Sequence, residues 1–443
     1  MDTGEGLIKI QARLEELRGS LFYVPSLFVI AAIGLAFGTL QLDRYIEAEN
    51  LAIPDQLRAT VDSARALLGT VASATITFAG VAFSVSLLMI QLASSQFSPR
   101  VLYGFFRDPF SKRVMGISIG TFTYCLLVLR AARTEAEPGG SAIVPTVSVL
   151  VAVFLGVIAV LAVIAFINHS AHSMEVGEII RRISESTHDQ IVRLCPERGK
   201  GKQGVVEGPM PDEESIQIEA AKSGWIQNVD GSALIKLVRP GGIVRVDRGA
   251  GEFVTFGTPI CTVWMPTDRE KLARKVREAV GIGRSRTMQQ DIAFGFRQIV
   301  DIALRALSPG VNDPTTAVEA IVHLGPILRT LLLRDLPSRV RSDDEGRRVV
   351  RPQDMDHADF IALAFAQIRM SAATMPFVSE SIIETLGMLV SEVEEAGLGH
   401  RAVPLRKQAE LVLAGCERAA MFEDDVAQLR ATAERLDLVS LSE

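Results

Sequence analysis

Cysteine is scarce: Cys125, Cys195, Cys261 and Cys416 are the only four in 443 residues. They lie far apart, with no Cys-x-x-Cys pair and no clustering with histidine, which excludes a disulfide scaffold and offers no zinc pattern. Small buried thiols are the expectation, Cys125 inside an apolar run. A basic excess is missing too. With 46 Lys and Arg against 52 Asp and Glu, the net charge is −6, and no global basic field points to nucleic acid. The first twenty residues pair Glu5, Glu15 and Glu16 with Lys9, Arg13 and Arg18. They form an amphipathic prelude without the n-region and cleavage site of a secretory signal. Arg outnumbers Lys and Ala is abundant, as in bacterial chains from GC-rich genomes.

Apolar residues are plentiful, at 48%, while charged residues hold at 22%. Both fit because the long apolar runs fall within residues 21–168 and most of the charge within 175–443. A simple cytosolic enzyme and a disordered chain are thereby excluded. A membrane-spanning helix needs about 20 mostly apolar residues. Four segments qualify, at about 21–42, 67–95, 114–130 and 144–167. The second lies in a run of 34 residues, Ala66 to Pro99, without one charge. At 1.5 Å per residue that run reaches roughly 50 Å, so it tilts or projects beyond the hydrocarbon. The third is short and bracketed by Arg113 and Arg130, which can snorkel to the interfaces. Lys and Arg number three before the first span and four between the second and third. The opposite loops hold three and two, diluted by acids, so both termini are expected in the cytoplasm and the protein in the bacterial inner membrane.

Apart from Arg130 at the edge of the third, no Asp, Glu, Lys or Arg falls inside these span limits, which argues against a charge-relay pump. Polar residues concentrate in span two. Thr70, Thr77, Ser84 and Gln91 recur every seven residues, and Ser73, Gly80 and Ser94 run beside them. That spacing makes one helical stripe. It suits close helix packing through small residues and hydroxyls. It also suits the lining of an aqueous path around a symmetry axis, with Thr70, Ser73, Thr77, Ser84 and Gln91 facing the axis. Both readings stay open. The end of the span, with Ser95, Gln96, Ser98 and Arg100, would form a cytoplasmic mouth. Ser98-Pro99 should end the helix. Arg100 and Arg107 would meet lipid headgroups or draw anions. His169 and His172 share a helix face, but no third ligand is near in sequence to complete a metal site.

Beyond span four, residues 175–194 read as a helix continuing it, and Pro196 to Ser215 as a polar linker. Arg198-Gly-Lys-Gly-Lys202 lacks the Walker spacing. Short β segments and Gly-rich turns follow over 216–266. Ser223-Gly-Trp-Ile226 and Gly251-Glu-Phe-Val-Thr-Phe-Gly257 resemble one half of a biotinyl/lipoyl-type barrel-sandwich, without the lysine hairpin that carries a cofactor. The rest, 267–443, reads as helices: Thr287 to Leu307, a second from Asp313, and four more at about 357–373, 377–396, 400–419 and 423–437. Between the first two, Asp313 is expected as N-cap with Pro314 at the first helical position. Asn312, Asp313, Thr315 and Thr316 could instead hold an anion or ligand on free amides. No Gly-x-Ser-x-Gly elbow is present, and His323, His357 and His400 stand alone in sequence. The expectation is no catalytic site and no cofactor.

Three stretches are distinctive: Gln91-Leu-Ala-Ser-Ser-Gln-Phe-Ser-Pro-Arg-Val-Leu102, Ile119-Gly-Thr-Phe-Thr-Tyr124-Cys-Leu-Leu-Val-Leu-Arg130 and Asp301-Ile-Ala-Leu-Arg-Ala-Leu-Ser-Pro-Gly-Val-Asn-Asp-Pro-Thr-Thr-Ala317. In this order the chain resembles an uncharacterised bacterial family of predicted four-span membrane proteins carrying a domain of unknown function. The resemblance implies topology and no mechanism. The expected fold is membrane α-helical, four transmembrane helices, followed by a cytoplasmic α+β region made of a small β-barrel-like module and a helical bundle. The expected organisation is 1–20 amphipathic segment, 21–174 transmembrane domain, 175–215 helix and linker, 216–266 small β domain and 267–443 helical domain. The favoured function is a homo-oligomeric channel or passive transport protein for ions or small solutes, contacting membrane lipids and no nucleic acid. The alternative is a membrane-anchored scaffold or sensor whose cytoplasmic part binds a partner or ligand.

Overall fold

The computed structural model describes residues 22–49, 60–96, 109–132, 145–172, 175–200, 214–352, 355–419 and 421–439. The chain divides into two compact units, residues 1–175 and 176–443.

The first unit holds four helices long and apolar enough to cross a membrane. They are α1 (Tyr23–Ala48), α2 (Val61–Gln96), α3 (Pro109–Ala131) and α4 (Thr146–His172). α2 and α3 run past both limits expected from the apolar runs, and α1 and α4 past the C-terminal limit alone. α3 is the hub, packing on α1, α2 and α4. Half of its most apolar stretch is buried, against 22% in each of the other three. Small residues permit these crossings. A Cβ on Gly116 would stand 2.6 Å from the Phe28 ring, and one on Gly120 would stand 3.2 Å from the Phe28 carbonyl oxygen. On α4, a Cβ on Gly156 would stand 3.0 Å from Val71 of α2. Alanines fill the rest of the seam: Ala64, Ala72, Ala79 and Ala82 of α2 are all buried. Packing through small residues, which lets backbones approach, is how helices associate where lipid supplies no hydrophobic drive.

The second unit is mixed α/β. Its helices are α5 (Val176–Leu194), α6 (Arg269–Ala279), α7 (Ile292–Ala306), α8 (Pro314–Leu332), α9 (His357–Ser371), α10 (Pro376–Glu395), α11 (Ala402–Arg418) and α12 (Glu423–Arg435). α5 is strongly amphipathic and buries Ile179, Ile180, Ile183 and Ile191, packing on α7 and α8. It therefore belongs to the bundle and is not a linker. Asp291, Asp313 and Asp356 cap α7, α8 and α9, each accepting a backbone N–H of the first turn. The helix expected from Thr287 starts at Ile292 for this reason.

The helices have a common order. Beside α8, α5 runs in the same direction: Ser184 donates to the His323 carbonyl at 3.5 Å, and Thr330 Oγ1 lies 3.1 Å from His188 Nδ1. α10 follows α8 likewise, with Arg329 Nε 2.8 Å from Glu392. α9 and α11 begin where α8 ends: His357 Nε2 is 3.2 Å from the Arg334 carbonyl oxygen, and Arg401 donates to the Leu332 carbonyl at 2.5 Å. One end of the bundle thus carries the starts of α5, α8, α10 and α12.

The strands do not close a barrel. They form two sheets. One has five strands, in the order β1 (Ile216–Glu219), β5 (Pro259–Pro266), β3 (Val238–Val246), β8 (Arg348–Val350) and β7 (Val340–Ser342). The other has three, in the order β4 (Phe253–Val254), β2 (Gly224–Val229) and β6 (Val280–Gly283). β6, β7 and β8 lie outside the 216–266 limits, in the part expected to be a helical domain, with β7 and β8 in the charged stretch 334–354 expected only to connect its helices. The β7–β8 hairpin reaches back so that β8 pairs in parallel with β3, a long-range pairing that no local pattern in the charged 334–354 connection signals. The core between the sheets and α6 includes Ile226, Val244, Val263, Leu272 and Val276.

Two measurements test these packings. Gly116→Val should destabilise the helical unit by about 1–3 kcal/mol through overpacking against Phe28. Gly34→Val, where nothing lies within 4 Å, should not. Thermal unfolding in detergent reads both. In the second unit, burial and then the Arg401 charge push the His357 pKa below its usual value. The unfolded chain then takes up this proton first, so stability falls as pH drops below about 6.5 and levels off once the folded-state pKa is passed. His357→Gln should flatten that slope in unfolding curves recorded between pH 7 and pH 5.

Candidate functional site

The α2 stripe turns away from the other three helices. Thr70, Ser73, Thr77, Gly80, Ser84 and Gln91 are all exposed, while Ala64, Leu68, Ala72, Thr75, Ala79 and Ala82 make the buried face. The seam used within the unit is thus the alanine face, and the described residues of the polar stripe are exposed. A Cβ on Gly80 would meet no atom within 4 Å. Thr70 Oγ1 donates to the Ala66 carbonyl and Thr77 Oγ1 to the Ser73 carbonyl, both at 2.8 Å. These bonds satisfy the hydroxyl protons and leave oxygen lone pairs facing outward. Ser95 and Gln96 occupy the last turn of α2, and their side chains lie outside the described residues, as do Ser98 and Arg100.

The predicted helix-start residues belong to the other unit. Asp313 accepts from Thr316 N at 3.1 Å and from Thr316 Oγ1 at 2.6 Å. These bonds hold its carboxyl below the usual carboxylate range. The start of α8 is therefore already filled by a carboxylate of the chain itself, and the capping reading has the geometry. Asn312 adopts the left-handed region, with φ 49°, and Thr315 is exposed. His169 packs on the Phe110 ring, with centroids 4.7 Å apart. Among the described residues no group of three His, Cys, Asp or Glu is placed to hold a metal ion. All four cysteines are buried and unpaired. Burial pushes the thiols of Cys195 and Cys261 up to about 11 and about 12, which keeps them protonated and unreactive.

One polar cluster is absent from the sequence reading. Because α1 extends to Ala48, Asp43 lies within a helix and is buried. Its carboxylate accepts from Val147 N at 2.8 Å, Ser148 N at 3.0 Å and Ser148 Oγ at 2.6 Å. It caps α4 from a different helix, placing negative charge at the positive end of that helix dipole. Tyr124 of α3, fully buried, stands 2.9 Å from Thr39 Oγ1 and donates to the Ser148 carbonyl at 3.0 Å. Arg65 of α2 does the converse. It donates through Nε and Nη2 to the Ala132 carbonyl, at 3.2 and 2.8 Å, placing positive charge at the end of α3. Four helix ends are thus tied by charge-assisted bonds. The available signal was a lone acid within one turn of an apolar run, facing a Thr-Val-Ser start.

Four spans around a small-residue seam, followed by a mixed α/β unit, define a multi-span membrane protein with a large extramembrane part. The chain belongs to the family described as predicted membrane protein (DUF2254), whose profile matches residues 18–388. It is similar to an uncharacterized protein of Mycobacterium bovis, Mb1321c, and to one of Mycobacterium tuberculosis, Rv1290c. Each is 30% identical over 431 residues, covering 96% of this chain and 81% of the relative. No solved structure matches the chain.

Asp43→Ala should leave two α4 amides and Ser148 without their acceptor, costing about 1–3 kcal/mol in unfolding free energy. Asp43→Asn should cost less, since its carbonyl still accepts. Equal stability of Asp43→Ala and the parent chain in thermal unfolding would remove the cap from this account.

Proposed function

We propose that the protein is a homo-oligomeric channel or passive transporter in which α2 of each copy faces a shared axis. The observation that carries this reading is that Thr70, Ser73, Thr77, Gly80, Ser84 and Gln91 of α2 all face out of their own four-helix unit. A seam serving only intramolecular packing would point inward, as the alanine face does. The outward stripe is left for another copy or for water, and an axial arrangement provides both. The charge-free span suits passive movement better than coupled transport. The Lys and Arg distribution supports cytoplasmic termini in a bacterial inner membrane, with residues 176–443 as a cytoplasmic assembly or gating part. The reading assigns no catalytic chemistry.

Replacing both Thr77 and Ser84 with leucine should abolish solute or ion flux in proteoliposomes while native mass spectrometry shows the same subunit number. Parent-level flux from that double variant would remove the stripe as the lining. A monomer as the sole species would remove the axis.

A second reading, a membrane-anchored scaffold that binds a partner, is favoured by one observation: large apolar side chains stand exposed at one end of the C-terminal bundle.

A further inference from the structure

The end of the bundle at which α5, α8, α10 and α12 begin carries three side chains that ordinary packing leaves uncovered. Phe422 is 83% exposed, Met370 70% and Phe377 59%. They come from three places in the chain: the last turn of α9, the first turn of α10 and the residue before α12. Short bonds gather these places. Ser379 Oγ donates to the Ala372 carbonyl at 3.1 Å, Cys416 Sγ lies 3.5 Å from Ser379 Oγ, and Met421 N donates to the Cys416 carbonyl at 3.3 Å. Gln428 of α12 bonds Glu380 of α10 at 3.4 Å. The exposed side chains therefore ride on backbone that is hydrogen-bonded in place.

The surroundings are acidic. Glu423, Asp424 and Asp425 follow Phe422 directly, Glu380 lies one turn after Phe377, and Glu417 closes α11. Arg430 is paired with Glu417, while Arg369, on the neutral Gln408, and the exposed Arg418 keep their charge, so Glu380, Glu423, Asp424 and Asp425 outnumber the unpaired arginines by four to two. The three acids after Phe422 also suit the start of a helix, which explains their sign but not the exposed aromatic beside them. Apolar anchors inside an acidic rim have a complement: a helix with one apolar and one basic face. Methionine adds adaptability at such a surface.

We propose that this end of the bundle is a docking surface for a basic amphipathic helix of a protein partner. Charge decides against the obvious rival, the bilayer. The cytoplasmic leaflet is negative and favours basic residues near its surface. An acidic rim is repelled by the same field. The inference deepens the scaffold reading and is independent of conduction, because flux assays and peptide binding fail separately.

The test uses the full chain in nanodiscs of phosphatidylcholine. The probes are two fluorescent helical peptides with the same leucine stripe, one with lysine and one with glutamate on the polar face. In fluorescence anisotropy the lysine peptide should bind and the glutamate peptide should not. Phe377→Ser with Phe422→Ser should weaken binding by about tenfold or more, as should Glu423→Lys with Asp424→Lys and Asp425→Lys. Binding unchanged in either variant, or no binding of the lysine peptide to the parent chain, overturns the proposal. A second measurement covers the bilayer. Phe422→Cys carries a selectively attached bimane, since the four native cysteines are buried. A blue shift on adding the lysine peptide supports docking. Quenching by brominated lipid before any peptide is added means that the bilayer covers the patch, and overturns it.

Discussion

Helix ends near a bilayer have few partners, and an unpaired backbone group there costs several kcal/mol. The Asp43 carboxylate meets that constraint for α4. It takes two amides and a hydroxyl from across the bundle. Arg65 meets it for α3 at the Ala132 carbonyl. Each side chain answers the dipole of another helix with the opposite charge. The ends of α3 and α4 are therefore set by residues of α1 and α2, and Tyr124 links the same places through Thr39 and Ser148. Alanine and glycine seams can hold helices close, but they allow sliding along the axis. Directional bonds at the ends fix the register.

With the ends tied and α3 at the centre, α2 has one face committed. Its alanines pack inward, and its hydroxyl stripe is left over. That leftover face is the basis of the conduction reading. The reading needs further copies of the chain, since one copy gives the stripe no opposite wall. Both units use local caps: Thr60 accepts from Ser63 N at the start of α2, and Asp291, Asp313 and Asp356 cap α7, α8 and α9 from the preceding residue. The start of α4 and the end of α3 are instead closed from other helices.

Much of the fold was legible in the sequence. The spans follow from run length, because the hydrocarbon thickness is a fixed ruler. The helices α9 to α12 follow from apolar recurrence at three and four. Asp313 and Pro314 announce the start of α8, and the structure shows the cap. The β-barrel-like module was not legible as it stands. β7 and β8 are three residues each, and β8 pairs with β3 across a separation of 105 residues (Ile243 with Arg348). Strand pairing is a non-local bond, and short charged strands carry no period that marks them. α5 was read as a continuation of span four. Its isoleucine stripe declares a buried face but not the unit that buries it.

The sequence by itself determined that this chain carries four segments long and apolar enough to cross a membrane, and that the second carries polar residues on one helical face. Periodicity and length are one-dimensional properties, and they suffice for both statements. Only the tertiary structure decided which way that face points, that Asp43 is a buried cap and not a loop charge, and that α3 is the hub. Those depend on which helix packs against which, and contact between distant segments is decided by steric fit and by the pairing of polar ends. The same holds for the apolar end of the bundle. Met370, Phe377 and Phe422 are unremarked in sequence and come to one end of the bundle only when three chain segments meet.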